Sequence, residues 1–421
     1  MFQIQGELMK KIYSVLSSFL FLFPVLSGAQ QGIEGKTLKV GSFLPLSGPV
    51  AFIGRGVRQG MDTFIKYFNQ ELKTGGYTLE SYFLDDGYDS VKSLSIVRDL
   101  TENKKVFALV GAVGTPGILG SLDYIRRTGM PFVYQGSGVT PLHNPPSRNI
   151  FPVQPSYEAE GRVFGNFIVN HLKLQKVVYV FQRDIGVVEA AEGALRGLYE
   201  MAGRYRGKGL QVVSSIPFSS TDADLSPVVH RIKQLGPDAV VVFAFGEAVL
   251  ELVKAARQGG MNLKQTPFIT TYANSDPIFF RMAGGVWNDI YVGAWVKPAE
   301  SESYENFVRI WKKHADVSRG PSFYNIAGWM AMEVFAEGLA RTVKNFPELN
   351  WRNFIAAMET FHEDGGWSGG LSYKLSYTRC NGYDQKCRYP QNYQYFIVGV
   401  EGRYQLYKKT ANLNELYISA D

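Results

Sequence analysis

The stretch from Phe107 to Pro141 constrains the fold more than any other. Two short apolar runs, Phe107–Val110 and Pro131–Tyr134, have the length of buried strands. Each leads straight into small and hydroxylated residues: Gly111, Gly114 and Thr115 after the first, Gly136, Ser137, Gly138 and Thr140 after the second. A helix-like stretch lies between them. A strand, a Gly/Ser/Thr turn and a helix make half of a βαβ unit. At such a turn the backbone can come close to a ligand, because glycine has no Cβ. The helix that follows aims free N–H groups and its positive dipole end at the same spot. Two such turns on neighbouring parallel strands predict a pocket for a carboxylate or another small acceptor-rich group.

The same alternation extends on both sides. Leu38–Leu46 reads as a first strand, Ser47–Gly56 as a loop and Val57–Glu71 as a helix. Leu79–Leu84 is a strand ending in Asp85-Asp86, read as strand-end caps and turn formers, and Asp89–Glu102 a helix capped by Asp89 or Ser90. At Ile150–Pro155 the pattern breaks, and we place a crossover there. A second series follows, with strands at Lys176–Phe181, Leu210–Phe218, Pro237–Phe243 and Pro267–Thr271. Helices fill the gaps at Glu158–Leu172, Glu189–Met201, Asp224–Leu235 and Ala248–Gly259. Ile290–Trp295 reads as a crossing back. Ser303–His314, Ser322–Thr342 and Trp351–Glu359 are amphipathic helices. Tyr-rich β-like runs, Leu371–Tyr377, Tyr393–Val400 and Tyr404–Tyr407, close the chain, with a third crossing near Tyr389–Tyr393.

The expected fold class is therefore α/β: two Rossmann-like lobes with parallel central sheets, joined by a three-strand hinge. The N-terminal lobe takes residues 37–154 and 297–390. The C-terminal lobe takes 155–296 and 391–421. With 421 residues and 45% of them apolar, the chain is long enough for two such cores.

Residues 1–29 read as a targeting segment. Lys10-Lys11 is a basic start, Ile12–Leu26 an apolar core, and Ser27-Gly28-Ala29 a small-residue site for cleavage after Ala29. No cysteine lies near that site, which argues against a lipoprotein anchor and for an exported chain in the periplasm. The only cysteines, Cys380 and Cys387, are expected to pair in that setting; the alternative is two free thiols. The formal charge is +6, and the basic residues are scattered, so no nucleic-acid footprint is present. The five histidines, His143, His171, His230, His314 and His362, show no metal spacing. No cofactor motif follows the first strand, and Gly54–Gly60 has the wrong spacing for a dinucleotide site. Gly366-Trp-Ser-Gly-Gly370 fits G-x-S-x-G, which makes an exported serine hydrolase using Ser368 an alternative to weigh. That motif needs a strand before and a helix after, and β-like sequence follows instead.

Lys39–Pro49, Asp85-Asp86, Val110–Thr115 and Pro237–Val240 together resemble the type I periplasmic substrate-binding proteins of ABC importers, on the leucine/isoleucine/valine-binding branch. The resemblance runs from about Thr37 to Tyr407. It implies a non-enzymatic, monomeric protein without cofactor. Its two lobes would close on a small amino acid or related carboxylate or amide and present it to a membrane permease. A ligand-sensing receptor component of the same fold is the alternative.

By position, the resemblance places Thr115, with Val113 beside it, and Ser137, Val139 and Thr140 at the carboxylate. Ile53 matches an aromatic of the family's first loop and Tyr324 an apolar wall residue; Ile53 and Phe52 read either as a lid or as anchors of their loop. The second-lobe positions that hold an ammonium in amino-acid binders are Tyr272, Phe245 and Ile185 here, so that half reads as apolar and aromatic. An aromatic or aliphatic acid fits these substitutions. Asp184, Glu247 or Asp276 would restore an ammonium site if one of them turned inward.

Overall fold

A computed structural model describes residues 31–184, 186–297, 301–317, 320–372, 374–381, 385–388 and 395–409. The targeting segment with its cleavage site, Ile185 and the third crossing near Tyr389–Tyr393 lie outside the described residues.

Two sheets organise the chain. The first contains β1 (Ile33–Glu34), β2 (Thr37–Leu44), β3 (Thr78–Asp85), β4 (Ala108–Val113), β5 (Phe132–Gly136) and β6 (Ile150–Phe151). Strands β2, β4, β5 and β6 run side by side in parallel, β3 flanks β2 in parallel, and β1 folds back antiparallel on the start of β2. The second contains β7 (Lys176–Gln182), β8 (Gln211–Phe218), β9 (Ala239–Phe243), β10 (Phe268–Thr270), β11 (Ile290–Ala294), β12 (Tyr395–Val400) and β13 (Arg403–Lys409). Its order is β13-β12-β11-β10-β9-β7-β8, in which β12 alone runs antiparallel, pairing so with both β11 and β13. The sheets are thus mixed but mostly parallel. Strands β4 and β9 are buried along their whole length, which is why they read as unbroken apolar runs.

The helices are α1 (Ala51–Tyr67), α2 (Ser90–Glu102), α3 (Thr115–Thr128), α4 (Tyr157–Phe167), α5 (Val188–Arg204), α6 (Ser226–Leu235), α7 (Glu247–Gln258), α8 (Ile278–Ala283), α9 (Glu302–His314), α10 (Phe323–Asn345) and α11 (Trp351–Glu359). Asp89 caps α2, accepting from Lys92 N at 2.7 Å. Helix α1 starts at Ala51, inside the segment expected to be a loop. Its glycines are contact surfaces and not breakers. A Cβ on Gly60 would stand 2.0 Å from the Asn325 carbonyl oxygen, and one on Gly328 1.9 Å from that of Val57, so α1 and α10 pack backbone to backbone. The second lobe repeats the device: a Cβ on Gly161 or Gly197 would meet the Ala194 or Glu158 carbonyl at 1.9 Å, between α4 and α5.

The described residues of Leu371–Tyr377 do not form the expected strand; they make two isolated bridges, Val296 to Ser372 and Trp367 to Leu375. Their backbone groups are taken elsewhere. The Leu371 N–H donates to Glu333 Oε2 at 3.2 Å, and the Leu371 carbonyl accepts from Lys297 N at 2.9 Å. Cys380 and Cys387 are joined in a disulfide.

Candidate ligand-binding cleft

The carboxyl ends of β4 and β5 build one wall of a cleft of about 1030 Å³. Both strands kink at the same level. Gly111 (φ 73°) and Tyr134 (φ 57°) lie between the register pairs Val110–Val133 and Ala112–Gln135. Positive φ costs a tyrosine energy that glycine is spared. Beyond the kink, Gly114 (φ 118°) supplies the N-cap of α3 without any side chain. Thr115 therefore opens the helix at the cleft wall, beside N–H groups that no side chain caps.

Thr115 Oγ1 lies 2.8 Å from Ser137 Oγ, both buried. Val113, Thr115 and Gly136 line the cleft; Ser137, Val139 and Thr140 do not. Ser137 sits behind Thr115, Val139 is 3% exposed in the core, and Thr140 Oγ1 accepts from Arg196 Nη2 at 3.2 Å. The three residues expected at the ligand from the second turn thus stand outside the lining in this structure. The crossover segment covers that turn: Tyr157 N donates to the Gly138 carbonyl at 2.8 Å, and a Cβ on Gly138 would meet the Pro155 carbonyl at 2.6 Å.

Aromatic groups form the floor and the opposite side. Gln154 bridges two tyrosines: Tyr134 Oη donates to its Oε1 at 3.2 Å, and its Nε2 donates to Tyr272 Oη at 3.0 Å. Tyr157 stacks on Tyr272, with ring centroids 6.1 Å apart and planes within 11°. Burial pushes the Tyr157 phenol up, against hydrogen bonds from the Gly138 N–H and the Ser137 and Thr115 hydroxyls. Tyr324 Oη donates to the Ala273 carbonyl at 3.0 Å, and Phe52 meets the Tyr324 ring edge-on at 5.7 Å. Phe52, Ile53, Phe245, Tyr272 and Tyr324 all line the cleft, and Ile185 lies outside the described residues. Tyr88, Tyr134, Gln154 and Tyr157 also line it, and sequence reasoning missed them. The strand-end position of Tyr134 and the crossover position of Gln154 and Tyr157 were the available signals.

The charge on the lining is one-sided. Asp184, Asp222, Glu247 and Glu251 line the second-lobe side, and no Lys, Arg or His is among the described lining residues. Burial would push the Asp184 carboxyl up, but Ser219, Ser220 and Gln182 donate to it and hold it down at about 2. The second lobe is thus not purely apolar, as the sequence had suggested: anionic charge enters at the end of β7, beside the aromatic positions. Asp276 is not part of it. It is 1% exposed and accepts from Ile278 N at 2.9 Å and Phe323 N at 2.8 Å. Behind Tyr272, the Glu160 carboxyl accepts from Tyr272 N at 2.8 Å and Thr271 Oγ1 at 3.0 Å, and burial pushes it up to about 8.

Among the described residues Ser368 sits in no strand–turn–helix elbow: Trp367 makes an isolated bridge to Leu375, and no α-helix opens after Ser368. Among the described residues, no group of His, Cys, Asp and Glu could hold a metal ion, and no helix is long and apolar enough to cross a membrane.

A family model described as periplasmic binding protein matches residues 37–383. Leu/Ile/Val-binding protein homolog 7 of Brucella abortus is 22% identical over 362 residues, which span 82% of this chain and 86% of that one. Among solved structures, a branched chain amino acid ABC transporter protein from Thermus thermophilus with bound valine superposes with a TM-score of 0.76 at 16% identity, covering 92% of this chain and 100% of that one. An ABC transporter solute binding protein from R. palustris in complex with benzoate gives 0.72 at 20% identity, covering 89% and 97%. At these identities the superpositions speak for the fold alone.

Proposed function

The chain belongs to the periplasmic binding protein family of ABC transporters, on the leucine/isoleucine/valine-binding branch, whose members bind a solute and catalyse nothing; from that premise we propose that it is an exported importer component for a small zwitterion. The ligand is an amino acid with a sizeable apolar or aromatic side chain. One observation carries this reading. The cleft offers neutral donors at Thr115 and the start of α3 on one wall, and on the other, among the described lining residues, carboxylates as the groups charged near neutral pH.

The division of labour follows from charge. A carboxylate held by a hydroxyl and backbone N–H groups gains roughly 1.5–3 kcal/mol per charge-assisted bond. An ammonium buried without a partner costs several kcal/mol, so it needs Asp184 or Glu247. The aromatic rings of Tyr157, Phe245, Tyr272 and Tyr324 then cover the side chain. Closure of the lobes over the ligand creates the surface that a membrane permease reads, and affinity reflects the difference in contact between open and closed forms.

A second reading has its own support. The aromatic floor suits a benzoate-like acid, as bound by the R. palustris protein. A thermal-shift and calorimetric screen across amino acids, aromatic acids, aliphatic acids and amides separates the two, since a ligand of the folded state raises its melting point. Binding by benzoates and not by amino acids would overturn the zwitterion reading. Genes for a permease and an ATPase beside this one favour import; a neighbouring signalling gene favours sensing.

A further inference from the structure

The loop between β3 and α2 is built as a rigid pedestal. Asp85 Oδ1 accepts from the N–H groups of Leu46, Ser47 and Gly87 at 2.8, 3.2 and 2.9 Å. Asp86, fully buried, accepts from Tyr88 N at 2.9 Å and from Ser93 Oγ at 2.7 Å. This wiring holds Tyr88 at φ 67°, a conformation that a bulky residue adopts only where its surroundings impose it.

The ring so presented lies between the lobes. A Cβ on Gly114 of the first lobe would stand 3.0 Å from Tyr88 Cε2. A Cβ on Gly186 of the second lobe would stand 3.1 Å from Tyr88 Cε1 and 2.4 Å from Pro116 Cγ. Each edge of the ring therefore rests on a glycine, one from each lobe, and both glycines have positive φ, at 118° and 80°. Tyr88, Gly114 and Thr115 line the same end of the cleft. Burial raises the Tyr88 phenol, with Tyr157, Glu189 and Asp86 adding to the shift.

We propose that Tyr88 is the seat on which the second lobe closes and a determinant of ligand retention: its ring seals the end of the cleft beside Thr115, and a ligand leaves only when Gly186 lifts off it. The inference rests on the reading of the cleft as the ligand site. It goes beyond that reading by assigning release to one contact outside the anchor. A residue that seals a site, without holding the ligand's charged groups, acts on the dissociation rate more than on the association rate.

Two experiments test it. The first needs no ligand. Small-angle scattering of the free protein should show a larger radius of gyration for Gly186→Val than for wild type, because the side chain wedges the lobes apart at Pro116 and Tyr88. An unchanged radius in a folded Gly186→Val variant overturns the seat even if the cleft binds solutes. The second uses stopped-flow kinetics with the tightest solute of the screen. Tyr88→Ala should raise the dissociation rate about tenfold or more, with the association rate within about twofold. Tyr88→Phe, which keeps the ring, should behave as wild type. Equal dissociation rates for all three overturn the retention role. A protein that binds no solute of the screen, yet opens with Gly186→Val, would instead count against the zwitterion reading alone.

Discussion

Thr115 and Ser137 place their hydroxyl oxygens 2.8 Å apart, yet only Thr115 reaches the cleft. On the proposed reading the pair is ordered: Thr115 would meet the ligand and Ser137 would orient Thr115. Thr115→Ala should weaken binding tenfold or more, at about 1.4 kcal/mol per decade. Ser137→Ala removes neutral hydrogen bonds that reach the ligand only through Thr115 and should cost less, about threefold, since a neutral bond contributes about 1 kcal/mol. Calorimetric titration of both variants checks the order; a larger loss in Ser137→Ala would reverse it.

On the proposed reading Asp184 is an ammonium partner on the second wall, and its hydrogen bonds keep it ionised down to about pH 2. A carboxyl held this low keeps its charge between pH 4 and pH 8, so it should add no slope to amino-acid affinity over that range. Asp184→Asn should weaken amino-acid binding tenfold or more and leave benzoate-like acids unchanged or slightly tighter. Equal losses for both classes would mean that Asp184 supports the loop and not the ligand.

Much of the fold was legible because its signals are local. The buried runs of β4 and β9, and the Asp89 cap three residues before Lys92, sit where propensity and periodicity place them. The misses have a shared cause. Gly54 and Gly56 read as loop formers, but their role is set by Pro45 and Tyr324, which press on them. Ser137 and Thr115 have equivalent local patterns, and only the distant segment 154–157 decides which one is covered. Tyr88 gave no signal, because its position depends on a left-handed turn and on glycines at 114 and 186. Leu371–Tyr377 has β-like sequence, but Glu333 and Lys297 take the backbone groups that a ladder would need.

Glu160 should make stability fall as pH rises. Its carboxyl is pushed up to about 8 by burial, from an ordinary value of 4.5, against hydrogen bonds from Tyr272 and Thr271. Between these values the folded chain keeps a proton that the unfolded chain releases, so unfolding gains free energy with each step of pH and the effect levels off above about 8. Glu160→Gln is neutral throughout and removes that slope. Scanning calorimetry from pH 5 to pH 8.5 should show the wild-type melting point falling relative to the variant, by up to a few kcal/mol in stability, since one unit of displacement is about 1.4 kcal/mol. Parallel curves would show that Glu160 titrates normally.

The end of the disulfide loop is fastened by charge. Arg388 is fully buried; its Nη2 donates to the Arg148 carbonyl at 2.7 Å and to Glu359 Oε1 at 3.0 Å, and its Nη1 to the carbonyls of Thr378 and, at 2.9 Å, Cys387. The guanidinium also lies 4.6 Å from the Phe151 ring centre at the edge of the first sheet. Glu359 is shared with Arg148, which grips both carboxylate oxygens at 2.9 and 2.8 Å. Burial alone would raise the Glu359 carboxyl, but the bonds from Arg148 and Arg388 outweigh it and hold the group below the usual range. Its contribution is present above the ordinary carboxylate value and is lost as pH falls through the lowered one. Glu359→Ala leaves a buried guanidinium without its counter-charge and should cost about 3–5 kcal/mol. Arg388→Met removes the buried charge itself and leaves Glu359 paired with Arg148, so it should cost less. Urea denaturation of both variants at pH 7 checks the order. An Arg388→Met variant less stable than Glu359→Ala would show that the loop is held by the carbonyl contacts of Arg388 and not by the ion pair.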